Sequence, residues 1–267
     1  MQQQFDSSLS KSSSAQLKGL GVKKFLRAWT SNQPGAWLYA MQASIIALSV
    51  VGRNGLAWMI FIAWNICFLL QSMLERFCKS HGNMKYFKQV LVYGILFALF
   101  GLAIVVVNRS ILLWVPLYIV LGAISCVAAW LHQERSIWSN CVQIIASCTM
   151  AIVMVHSVTA QYTIGLIIAV LCAIFQFGCV LFVKTMIRKR DSVMYLLFSI
   201  AWHVIIVIFA FVKLPEILPA ALFALMRAVV LPSINRIRGI YLKPVVTGVV
   251  EFATTIVVVL NIIWLLQ

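Results

Sequence analysis

Residues 163–183 read TIGLIIAVLCAIFQFGCVLFV, without one charged side chain, and Lys184, Arg188, Lys189 and Arg190 follow at once. A helix rises about 1.5 Å per residue, so an apolar run of this length crosses the roughly 30 Å hydrocarbon core of a bilayer. The cationic cluster at its end marks the side expected to stay in the cytoplasm. Similar runs lie on either side, at approximately 36–52, 55–74, 89–107, 111–131, 138–156, 192–212, 217–232 and 247–266. With 63% hydrophobic and 10% charged residues and a mean hydropathy of +1.00, the composition excludes a water-soluble globule. The expectation is an all-α polytopic membrane protein of about nine transmembrane helices. Nearly the whole 267-residue chain is then one membrane domain, residues 31–267.

The segment at 217–232 is the shortest, framed by Pro219 and Pro232 with Arg227 inside. Ahead of the first run, residues 1–17 are rich in Ser and Gln and predict a disordered tail. Residues 18–30 interleave Lys18, Lys23, Lys24 and Arg27 with Leu20, Val22, Phe25, Leu26 and Trp29, the pattern of a basic interfacial helix. About 35 residues before the first apolar run disfavour a cleaved secretory signal. Trp37, Trp58, Trp114, Trp130, Trp138 and Trp264 fall near segment ends, where an indole prefers the headgroup level.

The net charge of +15 reads as anchoring in a membrane protein, with no nucleic-acid partner expected. Threading nine crossings puts seventeen Lys and Arg on one side and only Arg53, Arg109 and Lys213 on the other. That asymmetry predicts a cytoplasmic amino terminus and an exported carboxyl end. The seven Cys residues form no CxxC pair, and P-loop, GxGxxG, HExxH and nucleophile-elbow motifs are absent. No metal and no cofactor is expected, and Cys172 with Cys179 reads as packing.

Polar groups within apolar segments are costly and therefore informative. Gln71, Glu75, Asn140, Gln143, Gln176, Lys184, Arg227 and Glu251 all fall toward the expected cytoplasmic side, which predicts a polar cavity open there. Helical spacing arranges Ser136, Asn140, Gln143 and Ser147 as one stripe, Ser192, Tyr195, Ser199 and His203 as a second, and Thr247, Glu251 and Thr254 as a third. Such stripes either line the cavity or join helices by hydrogen bonds. Arg227 and Glu251 stand at similar depth on neighbouring segments. One reading is an ion pair locking two helices; the other has Arg227 binding an anion while Glu251 orients the guanidinium. His203 is either a hydrogen-bonded core residue or a proton relay. Asn65 reads as an interhelical hydrogen bond. Lys184 and Arg188, four apart, are either topogenic anchors or ligands for a phosphate or carboxylate.

Several local features resemble the YwiC-like family of bacterial membrane proteins. They are Asn32 to Trp37 (NQPGAW), Glu134-Arg135-Ser136, Val183 to Arg188 (VKTMIR), Trp202-His203, Arg227, and Pro244 with Gly248 and Glu251. Pro34 stands where that family tends to have His, and Ser139-Asn140 where it tends to have Asn-Asp, so neither position carries over a proton role. The resemblance implies a multi-pass protein of the bacterial cytoplasmic membrane and no defined reaction. A more distant likeness is to UbiA-type prenyltransferases, whose Asp-rich motifs follow helices 2 and 6. Here those places read Asn65, Gln71, Glu75 and Lys184, Arg188, Asp191, too few carboxylates for a diphosphate-bound metal cluster. The leading expectation is binding of an anionic small molecule or amphiphile for transport or lipid handling, with membrane lipids as partners. Arg227, Lys184, Arg188, Glu251, His203, Asn140 and Glu75 are its candidate residues. An isoprenoid-diphosphate transferase and a non-catalytic scaffold are the alternatives, the missing Asp motifs pointing away from the enzyme.

Overall fold

The computed structural model describes residues 29–30, 34–239 and 242–267; the expected tail and most of the expected interfacial segment lie outside them. Among the described residues there are nine α-helices and no strand. These are α1 (Pro34–Val51), α2 (Gly55–Lys79), α3 (Phe87–Val107), α4 (Val115–Trp130), α5 (Ile137–Thr159), α6 (Thr163–Val183), α7 (Val193–Lys213), α8 (Leu218–Arg238) and α9 (Pro244–Leu265). Eight spans are long and apolar enough to cross a membrane, that of α4 when the preceding turn from Arg109 is included, and the apolar stretch Trp37–Val51 of α1 is shorter. Polar caps start the helices where the apolar pattern begins. Asn54 accepts from the amides of Leu56 and Ala57, Ser136 from that of Ser139, and Ser192 from that of Tyr195. Proline opens α4, α8 and α9, where its missing N–H costs nothing.

Three boundaries differ from the hydropathy pattern. Arg109–Trp114 forms a 3₁₀ turn, and the α-helical geometry of α4 starts only at Val115. Helix α2 runs past the apolar stretch through Glu75 to Lys79, because a polar last turn can remain helical once it leaves hydrocarbon. Helix α8 continues through Pro232 to Arg238: the ring removes one hydrogen bond without stopping a helix that its neighbours hold. At the end of α6 the chain adds a π turn, Lys184–Arg188, closed by the Lys189 amide donating to the Lys184 carbonyl at 2.8 Å.

Helices α1, α5 and α6 form the centre of the bundle, and α3 lies at its edge on α2, with Leu91, Ile95, Leu99, Leu102 and Val106 facing outward. The connecting segments gather at two ends. At one, here the basic end, Lys79 pairs with Glu134, Lys184 bonds the Arg135 carbonyl, and Arg236 bonds the Arg190 carbonyl. At the other, Asn108 donates to the Ser157 carbonyl and Asn261 to the Glu216 carbonyl.

Candidate functional site

The most densely connected polar groups lie inside the bundle. Arg227 of α8 and Glu251 of α9 form an ion pair, 3% and 5% exposed, and Tyr39 of α1 donates its hydroxyl to the other carboxylate oxygen. Arg227 Nη2 donates to Cys179 Sγ of α6 at 3.1 Å, and its guanidinium lies 4.5 Å from the centre of the Phe182 ring. One turn away, Gln176 donates to the Tyr39 carbonyl (3.0 Å) and to Gln42 Oε1 (3.3 Å), and accepts from Ser147 (3.1 Å). Five helices, α1, α5, α6, α8 and α9, therefore meet through one chain of charged and polar contacts. A charge in low dielectric persists only with such company.

Two of the three polar stripes pack inward. Thr247, Glu251 and Thr254 are all buried on α9. His203, 1% exposed, bonds the Ser199 carbonyl through Nδ1 at 2.7 Å. Its Nε2 lies against Gly178, where a Cβ would sit 3.0 Å away, so α7 and α6 approach closely at that point. The stripe on α5 divides: Ser147 is buried, Gln143 faces outward, and Asn140 donates to the Ser136 carbonyl of its own helix at 2.7 Å. Glu75 accepts from Gln71, which also reaches the Gly122 carbonyl of α4. Asn65 bonds the Phe61 carbonyl on its own helix, not a neighbouring one as expected, because an i−4 carbonyl is the nearest acceptor for a short amide.

Lys184 and Arg188 stand apart from this interior. Both donate to the Arg135 carbonyl, at 2.7 and 3.3 Å, which fixes the π turn beside the segment leading into α5. Here a cleft of about 810 Å³ opens at the basic end. Arg135, Lys184, Arg188 and Lys189 line it together with Ser136, Ile137, Trp138, Cys141 and Tyr195, and no carboxylate is among them. The Lys189 ammonium lies 5.9 Å from the Tyr195 ring centre, within cation–π range. Neither Arg227 nor Glu251 lines this cleft: of the seven candidate residues Arg227, Glu251 and His203 are buried in the bundle, Lys184 and Arg188 form a cationic pair at the surface, and Glu75 and Asn140 belong to neither group. Sequence reading missed Tyr39 and Gln42, and it took Cys179 as packing without its contact to Arg227. A Tyr and a Gln three apart in a short apolar helix were the available signal for the first two.

Beside the cleft, Glu134 is held by Lys79. Burial pushes its carboxyl up, but the Lys79 hydrogen bond, its own backbone amide and the charges of Lys79 and Arg135 outweigh that and hold it below the ordinary carboxylate value. A depressed folded-state pKa means stability that is present at neutral pH and lost as pH falls below 4.5. Lys79 is half exposed, so the loss is expected to stay under about 1 kcal/mol. Thermal melts across that range should show it, and Lys79→Met should abolish it; an unchanged acid dependence in that variant would refute the assignment.

Together these features define a polytopic α-helical membrane protein with a buried charge network and a basic cleft at one end. Residues 30–155 match the family described as YwiC-like protein, which spans α1 to α5 and includes the Glu134-Arg135-Ser136 segment at the cleft. The resemblance read from the sequence is supported over that stretch; the features from Val183 onward lie outside it. No curated protein and no solved structure matches the chain.

Proposed function

We propose that this integral membrane protein binds the phosphate headgroup of an anionic amphiphile in the basic cleft and serves lipid handling in the bacterial cytoplasmic membrane. The single observation that supports this most is the set of four cations, Arg135, Lys184, Arg188 and Lys189, around one opening whose described lining holds no carboxylate, the neighbouring Glu134 being paired with Lys79. Trp138, Ile137 and Tyr195 give the same cleft apolar and aromatic walls, suited to the glycerol and first acyl carbons below a headgroup. The π turn supports the reading as well, since such turns recur where a helix must re-aim side chains at a site. On this reading the basic end faces the cytoplasm, the side that the distribution of Lys and Arg favours. Lys184 and Arg188 contact the anion, while Arg227, Glu251 and His203 hold the scaffold and Asn140 and Glu75 brace its neighbourhood.

Each Lys or Arg near a membrane surface is worth about 1 kcal/mol toward an anionic lipid. Lys184→Gln combined with Arg188→Gln is therefore expected to weaken retention of phosphatidylglycerol by roughly thirtyfold. Quantifying co-purified lipid by mass spectrometry checks this, with Lys85→Gln with Lys88→Gln as a charge-matched control outside the cleft. Equal retention in the two double variants would defeat the proposal.

A further inference from the structure

On the other face of the same π turn lies a second pocket, of about 320 Å³, between that turn, the start of α7 and the last turns of α8. Its lining includes Thr185, Arg190, Asp191, Asn235 and Arg236. Unlike the basic cleft it combines guanidinium groups with a carboxylate. Asn235 is only 7% exposed; among the described residues its Nδ2 reaches no better partner than the Met186 sulfur at 3.7 Å, and its Oδ1 has no partner. A buried amide oxygen without a donor is costly. Because Asn235 lines the pocket, a ligand that donates hydrogen bonds would remove that cost.

We propose that this pocket binds a group carrying both a phosphate and a primary ammonium, the chemistry of phosphoethanolamine. The ammonium offers three donors. Asn235 Oδ1 and the Asp191 carboxylate accept from it, and the C-terminal end of α8, at Gly239, adds a negative helix dipole on the same side. Arg236 uses one N–H on the Arg190 carbonyl at 3.2 Å, and its planar fork carries further donors for a phosphate oxygen. Arg190 is fixed in turn by its Nε donating to the Met186 carbonyl at 2.8 Å, which places a second guanidinium in the wall. Two guanidinium groups, a carboxylate and a buried amide oxygen in one lining match a zwitterion and mismatch a plain anion. This site is separate from the basic cleft and stands whether or not that cleft takes a lipid.

The test uses the full-length protein in detergent and measures thermal protection by four probes. These are phosphatidylethanolamine, phosphatidylcholine, phosphatidylglycerol and soluble glycerophosphoethanolamine. Phosphatidylethanolamine is expected to bind about tenfold more tightly than phosphatidylcholine, whose trimethylated nitrogen has no N–H to donate. Asp191→Asn and Asn235→Leu should each lose about that factor for phosphatidylethanolamine while leaving phosphatidylglycerol unchanged. Lys184→Gln with Arg188→Gln should do the reverse. Protection by the soluble ester that vanishes in the same variants supports the site with an aqueous source, and protection by the lipid alone supports it with a membrane source. If Asn235→Leu fails to fold, the exposed Asp191→Asn decides. Equal binding of phosphatidylethanolamine and phosphatidylcholine, or unchanged phosphatidylethanolamine affinity in Asp191→Asn, overturns the proposal.

Discussion

Arg227→Met alone is expected to destabilise the protein by about 3–5 kcal/mol, enough to prevent recovery of folded protein in a harsh detergent. The substitution leaves Glu251, 5% exposed, with a carboxylate whose only remaining partner among the described residues is the Tyr39 hydroxyl. Glu251→Leu should cost a similar amount, since it leaves a guanidinium facing the Cys179 sulfur and the Phe182 ring. Tyr39→Phe removes one hydrogen bond to a charged group and should cost about 1.5–3 kcal/mol. The informative variant is the double one. Arg227→Met with Glu251→Leu deletes both charges and leaves an apolar junction of similar volume, so most of the lost stability should return. Thermal melts of the parent, Arg227→Met, Glu251→Leu and the double variant form a double-mutant cycle. A coupling energy near zero would mean that the two charges do not hold each other, and would return Arg227 to the role of ligand contact.

Such a junction changes how the whole bundle is held together. Lipid tails are as apolar as Leu, so burying aliphatic side chains supplies little drive for helix association inside a bilayer. Specific contacts must supply it. Helices α8 and α9 touch α1 and α6 through Tyr39, Cys179, Arg227 and Glu251, and Gln176 carries the connection on to Ser147 of α5. The same network lies one helical stretch away from the π turn, since Phe182 beneath the guanidinium is followed directly by Val183 and Lys184. The scaffold thereby sets where α6 ends, and so where the cations of the cleft stand.

How much of this could be read from the sequence follows from what each pattern encodes. Nine helices and their spacing were legible because twenty-odd apolar residues between cationic loops admit few other solutions. Arg227 and Glu251 were legible as a pair because charges in apolar segments at similar depth need each other. What the pair does was not, since an ion pair and a ligand site use identical residues. Tyr39 escaped notice because a Tyr near a helix end is ordinary in membrane proteins, and Cys179 read as packing because a Cys among aliphatics is equally so. The separation of Lys184 and Arg188 from the buried network was invisible for a different reason. It depends on a π turn that shifts the register by one residue, and 3.6-residue periodicity carries no signal for such an insertion. The continuation of α8 through Pro232 belongs with it: both are places where neighbouring helices override a local rule.

Gly165→Val is the other substitution expected to have a large effect, and it acts through backbone geometry with no charge involved. Gly165 lies in the first turn of α6, just after the short connection from α5. A Cβ there would stand 2.7 Å from the Ile152 Cα and 3.1 Å from the Ala151 carbonyl oxygen, both main-chain atoms of α5. Main chain cannot swing aside as a side chain can, so the two helices must separate along one of the most extensive interfaces of the bundle. The expected loss is about 3 kcal/mol, the upper end of overpacking costs, and it should appear as a lower melting temperature. Gly101→Val on the outward-facing α3 is the matched control, because a Cβ at Gly101 meets nothing within 4 Å. That variant should melt close to the parent. Equal melting temperatures for the two variants would show that α5 and α6 do not meet at Gly165, and would undo the central packing on which the positions of Gln176, Cys179 and the π turn all depend.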